Sequence, residues 1–199
     1  HSYFTPEGWF ASDPADPYAR VRELKTLIKE AHRLGMGVTF DVVYNHTAAT
    51  SILNDLVPNY YYRLEADGSF RSNSGCGNDT ASERLMMRRL IVDSLRYLVS
   101  EYKVDGFRFD LMGLMDAETV MRGWEAASAI KPNVLFVGEG WKMYNGPKQV
   151  MMDQNYMDKT DKITVFNDEF RDILKGGGLD DRAKGFISDK VVNVKMVLS

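Results

Sequence analysis

The stretch VDGFRFDLMG, residues 104–113, follows a helical pattern directly and runs into another soon after. Phe107 and Phe109 alternate with Arg108 and Asp110, the period of a β-strand whose two faces differ. Residues two apart on a strand point the same way, so Arg108 and Asp110 enter one space together. Two charges in a half-buried strand are costly unless they pair or act on something. Strands that alternate with helices imply a parallel sheet with right-handed crossovers, so the neighbours of this stretch decide the fold.

Upstream, Asp16-Pro17 reads as a helix start, an N-cap followed by Pro in the first turn. Val21, Leu24, Leu27, Ile28, Ala31 and Leu34 follow at helical spacing, and Gly35 and Gly37 end the run. VTFDVVY (38–44) then reads as a buried strand. The polar and aromatic segment from 45 to 79 is too long for a plain connection and reads as a functional insertion, with its loop at 47–79. A second helix is predicted from Thr80, with Thr80 and Glu83 as a capping box. Met86 or Met87, Leu90, Ile91, Leu95, Leu98, Val99 and Tyr102 form its core face. Downstream, a helix is predicted from about Asp116 to Ile130, burying Val120, Trp124 and Ala127 and stopping before Pro132. VLFVGE (134–139) and ITVF (163–166) read as strands, with a helical turn after Asn167 and a breaker at KGGG (175–178). The last twenty residues carry no decisive pattern. This order fits an open doubly wound sheet or part of a (β/α)8 barrel. About four strands are visible, and eight need about 250 residues, so a barrel here is partial.

Composition narrows the function. The chain has 199 residues, 44% of them hydrophobic and 27% charged, with net charge −3. This suits a globular core and gives no electrostatic pull toward nucleic acid or an anionic membrane. No apolar run reaches the roughly 18 residues of a membrane span. The start, HSYFTPEGWF, has neither an initiating Met nor a leader, so the chain reads as cut from a longer protein, its compartment unknown. The single Cys76 permits no internal disulfide. Trp9 is read as core, and His32 as a helix-flank residue. Tyr60, Tyr61 and Tyr62 either pack the insertion or line a groove.

Polar residues collect at strand ends: Asp41, Asn45 and His46 on the first strand, Asp110 on the second, Glu139 on the third. Ligand sites of parallel α/β folds lie at those carboxyl ends. Asp110 and Glu139 are one βαβ unit apart, so their strands are expected to be neighbours about 4.8 Å apart. Carboxyl groups at equal heights would stand about 5–5.5 Å apart, which suits a retaining glycosidase, whereas an inverting one needs a wider gap. Arg108 beside Asp110 favours an ionised nucleophile. Glu139 follows an apolar run with no cation near it in sequence, which suits a group that donates a proton and later retrieves one.

DVVYNH (41–46), GFRFDLMG (106–113) and FVGEGW (136–141) resemble the first three signature regions of the α-amylase superfamily, glycoside hydrolase family 13. GEGW, SGCGNDTASER (74–84) and SYFTPEGWFASDP (2–14) more closely resemble the type I pullulanase branch of that family. The resemblance implies that residues 1–199 are part of one (β/α)8 catalytic domain, about its strands 3 to 6, with the insertion after the first visible strand. It also implies retaining hydrolysis of α-1,6 branch linkages in pullulan, amylopectin and limit dextrins. On it, Asp110 is the nucleophile and Glu139 the acid/base. Arg108, His46, Trp141, Asn45 and Tyr44 are substrate-binding. No cofactor is required. Structural calcium at Asn45 is a possibility, and the metal set and oligomeric state are left open. The family's fourth region, a His-Asp pair carrying a third carboxylate, has no counterpart in these residues. The 199 residues alone are therefore expected to be inactive. Other readings are an α-1,4-acting hydrolase or branching transferase of the same superfamily, and a non-catalytic glucan-binding protein on this scaffold. A nucleotide-binding sheet would want a glycine-rich phosphate loop after a strand, which is missing.

Overall fold

The computed structural model describes residues 3–177 and 182–188. The chain divides into two compact units, residues 1–165 and 166–199. The first holds four parallel strands in the order β1 (Thr39–Val42), β2 (Gly106–Phe109), β3 (Leu135–Gly138) and β4 (Thr164–Val165). Strands one βαβ unit apart are neighbours, as the alternation predicts. The helices of this unit are α1 (Ala19–Arg33), α2 (Ser51–Leu56), α3 (Leu85–Tyr97) and α4 (Ala117–Ser128). In the second unit α5 (Asp168–Lys175) is capped by Asn167, whose Oδ1 accepts from the Phe170 N–H at 2.9 Å. A 3-10 turn, Phe186–Ser188, also belongs to it. Gly178 of the glycine run and most of the last twenty residues lie outside the described residues.

The strand register pairs Phe40, Phe107 and Phe136 across the sheet, with Asp41, Arg108 and Val137 in the next row. The phenylalanine rows face the helices. Phe107, Phe109 and Phe136 have no exposed surface and meet ring to ring at centroid distances of 5.0–6.3 Å. Offset and edge contacts of this kind add to the burial of large apolar area. Met87, Ile91 and Leu95 of α3 and Val120 and Ala127 of α4 complete the core. Trp124 is only half-buried. The opposite face carries Asp41, Arg108 and Leu135, and Leu135 is 48% exposed. The Asp41 side chain is exposed there as well; in a closed barrel this face would be the interior.

Several local expectations are corrected. Helix α3 begins at Leu85 with Arg84 at its N-cap and no side-chain cap bond, so Thr80 and Glu83 form no capping box. Thr80 instead donates to the Tyr44 carbonyl at 2.5 Å, and Glu83 pairs with Arg63 at 2.8 Å. A π-turn, Leu98–Tyr102, extends α3 and ends on Lys103 in the left-handed region. Helix α1 begins at Ala19, because Asp16 Oδ1 accepts from Tyr18 N–H and closes a turn first. Gly35, at φ +75°, ends it as the sequence predicts. Leu27 and Leu34 are exposed, since α1 turns other residues, Ala19 and Ile28, inward. Trp9 is 84% exposed rather than core. The tyrosines pack the insertion: Tyr62 is fully buried with its hydroxyl 2.7 Å from Thr47 Oγ1.

At the amino end of the sheet Asp105 ties three elements together. It accepts from Val38 N–H at 2.6 Å, meets His32 Nε2 at 2.8 Å and pairs with Lys131. Burial opposes the Asp105 charge, but the bonds from Lys131, Val38 and His32 outweigh it and hold the carboxyl at about 2. The folded value lies below the unfolded one, so the stabilisation is present above about pH 4 and lost as pH falls toward 2. Asp105→Asn in the complete catalytic domain should cost on the order of 1 kcal/mol near neutrality. The gap between variant and parent in denaturant melts should close by about pH 2; a gap unchanged there would refute this linkage.

Candidate active site

The candidate site forms where β1, β2 and β3 end. Phe109 pairs with Gly138, and the ladder continues one residue further, the Glu139 N–H donating to the Phe109 carbonyl at 3.1 Å. Asp110 and Glu139 therefore emerge at equal heights on adjacent strands, on the face that Arg108 also occupies. The guanidinium gathers three carboxylates. Its NH1 donates to Asp41 Oδ1 at 3.0 Å and to Asp110 Oδ1 at 3.1 Å, and its NH2 meets Glu139 Oε1 at 2.6 Å. Burial weakens a cation, yet the bonds to Asp41 and Asp110 and the field of Glu139 raise Arg108 above the ordinary guanidinium range. The side chains of Arg108, Asp110 and Glu139 are 25%, 27% and 18% exposed, so the cluster is partly sheltered and still open to a ligand.

The sequence expectation for Glu139 needs correction. It is not in an apolar setting: a cation holds one oxygen, and the Leu111 N–H donates to the other, Oε2, at 2.9 Å. Leu111 itself was not singled out by sequence reasoning. It sits at φ +40°, ψ +47°, a region L-residues with bulky side chains enter at a cost. That turn aims its N–H at Glu139, and nothing in a leucine's identity announces it. Backbone strain that gathers at a site of this kind is a pointer to function.

Asn45 is buried and joins two of the predicted site residues. Its Nδ2 donates to the Asp110 carbonyl at 2.7 Å and to Asp110 Oδ2 at 3.0 Å, and its Oδ1 accepts from His46 Nδ1 at 2.6 Å. An Asn oxygen only accepts, so the Nδ1 of His46 carries the proton. Among the described residues no group of three or more His, Cys, Asp or Glu side chains could hold a metal ion. Trp141 is half-buried two residues beyond Glu139, its carbonyl packed so closely on Gly113 that a Cβ there would lie 2.1 Å from it. Tyr44 is 1% exposed and offers almost no surface to a sugar. It is buried on the helix side, its hydroxyl 2.8 Å from Ser94 Oγ on α3, and burial raises its pKa. A cavity of about 440 Å³ along β1 is lined by Tyr3, Phe4, Phe40, Asp41, Tyr44 and His46, and through Asp41 it adjoins the Arg108 cluster. No helix among the described residues is long and apolar enough to cross a membrane.

A parallel sheet with helices on one face is the architecture of a segment of a (β/α)8 barrel, and Asp110 and Glu139 lie at its carboxyl end. No family model matches the chain. Pullulanase A of Streptococcus pneumoniae serotype 2 (strain D39) is 45% identical over 190 residues, 94% of this chain and 15% of that protein. The pullulanase of Bacillus subtilis (strain 168) is 41% identical over 187 residues, 92% of this chain and 26% of that one. The crystal structure of the pullulanase of Paenibacillus barengoltzii, in complex with maltohexaose and α-cyclodextrin, superposes with a TM-score of 0.91 at 43% identity, over 96% of this chain and 30% of that one. The chain belongs to the pullulanase family of the α-amylase superfamily and corresponds to a segment of it, spanning 15–26% of the length of these two curated relatives.

Proposed function

We propose that this segment carries the nucleophile and the acid/base of a retaining hydrolase that cleaves α-1,6 branch linkages in pullulan, amylopectin and limit dextrins. One observation carries the reading: Asp110 and Glu139 stand at the ends of adjacent strands and share the Arg108 guanidinium. In the first step Asp110 attacks the anomeric carbon and forms an ester. The glycosidic C1–O6 bond breaks, and its electron pair stays on O6, which takes the Glu139 proton. Water then attacks the same carbon, gives its proton to Glu139 and releases Asp110. To donate, Glu139 must exchange a resting contact, with Arg108 or the Leu111 N–H, for the glycosidic oxygen. The chemistry needs no cofactor. His46 is a hydrogen-bonding partner for the sugar, and Trp141 a ring surface beyond the scissile bond. The preference for α-1,6 bonds is supported by the pullulanase likeness.

Substrate comparison tests the assignment. The complete catalytic domain should convert pullulan to maltotriose and debranch amylopectin, with linear amylose left nearly untouched. Rapid cleavage of amylose with pullulan spared would transfer the assignment to the α-1,4-acting relatives.

A further inference from the structure

The loop after Glu139 is anchored at its inner end by the strand itself and by Gln154, whose N–H donates to the Gly140 carbonyl at 2.9 Å. Its outer arc, around Tyr144 and Asn145, is held by residues from the excursion that follows β1. The Asn145 N–H donates to Asn73 Oδ1 at 3.0 Å, and the Asn145 carbonyl accepts from Arg71. The Arg63 guanidinium, paired with Glu83, lies 4.9 Å from the Tyr144 ring centre. None of these residues takes part in the bond-breaking scheme.

Asn73 is oriented by a group beneath it. The fully buried Asp79 accepts from both the Asn73 N–H, at 2.9 Å, and Asn73 Nδ2, at 2.7 Å. A carboxylate oxygen that takes the amide nitrogen leaves the amide oxygen facing outward. That oxygen meets Asn145. Two elements far apart in sequence are thereby set in one register by a buried charge that touches neither Asp110 nor Glu139.

We propose that Asn73, oriented by Asp79, is a positioning residue for the 141–149 loop and so for Trp141, fixing where a branched glucan lies beyond the bond to be cut. The inference deepens the function proposed above and rests on it. Without the Asn73 acceptor the loop keeps its inner anchor and the Arg71 and Arg63 contacts, but loses the outer bond that Asp79 orients. Substrate binding should suffer before the chemical step does.

The test is Asn73→Ala in the complete catalytic domain, read in two ways. Hydrogen exchange of the 141–149 segment should quicken by about tenfold, the equivalent of one lost hydrogen bond, while α3 and α4 keep their protection. KM for a branched maltooligosaccharide should rise by about tenfold with kcat held within about threefold, the signature of lost binding that substrate and transition state share. Asp79→Asn, which permits the amide to turn, should move both readouts in the same direction. Unchanged exchange in the loop, or faster exchange with an unaltered KM, overturns the proposal. A parent enzyme that hydrolyses no glucan would remove the proposed function alone, because the exchange measurement still reports on the contact.

Discussion

Asp110→Asn in the complete catalytic domain should lower turnover of pullulan by on the order of 10⁴-fold or more, and Glu139→Gln by about 10² to 10⁴-fold. The two losses differ in kind. An amide at position 110 cannot form the ester, so no change of leaving group restores the first step. An amide at position 139 only removes a proton source and base. A glycoside whose leaving group departs as a stable phenolate needs no such proton, and its first step should recover most of its rate in the Glu139 variant. The second step would then be slow, because water has lost its base. Azide, which needs none, should speed it and yield a glycosyl azide of retained configuration. NMR of the parent reaction should show the α-anomer released first, as two successive displacements require. Near-normal hydrolysis by either variant, or first release of the β-anomer, would reject the paired roles assigned to these carboxylates.

The legible part of the sequence was periodicity. Phe107 and Phe109 alternate with charges because a parallel strand of a barrel has a helix side and an inner side, and β2 shows both. Met87, Ile91 and Leu95 recur at helical spacing and are all fully buried. The pairing of β2 with β3, which brings Asp110 beside Glu139, followed from the helix between them. Contacts set by tertiary partners were not legible. Thr80 and Glu83 have the spacing of a capping box, yet the Tyr44 carbonyl and the buried Arg63 compete for them and prevail. Trp9 has the residue type of a core position, yet it is exposed among the described residues. Tyr44 belongs to a signature motif and still faces α3, because motif membership does not say which side of a strand a residue takes. The cation beside Glu139 could not be seen from its own segment, since Arg108 arrives from the adjacent strand. Leu111 was missed because its contribution is a backbone N–H in an unusual conformation.

Arg108 is where the next largest loss is expected. Its guanidinium is bonded to Asp41, Asp110 and Glu139, using nitrogens that point in different directions. Lysine offers one point charge and no planar fork, so it can satisfy only part of this set. Arg108→Lys should therefore lower kcat/KM by about 10- to 100-fold, and Arg108→Met by about 10³-fold, within the range of one removed electrostatic stabiliser. The methionine variant leaves three carboxylates without their shared cation. Both variants should keep the parent's circular dichroism and its slow hydrogen exchange in α3 and α4, which separates the rate loss from misfolding. A kcat/KM for Arg108→Met within about threefold of the parent would mean that the guanidinium contributes little to the transition state.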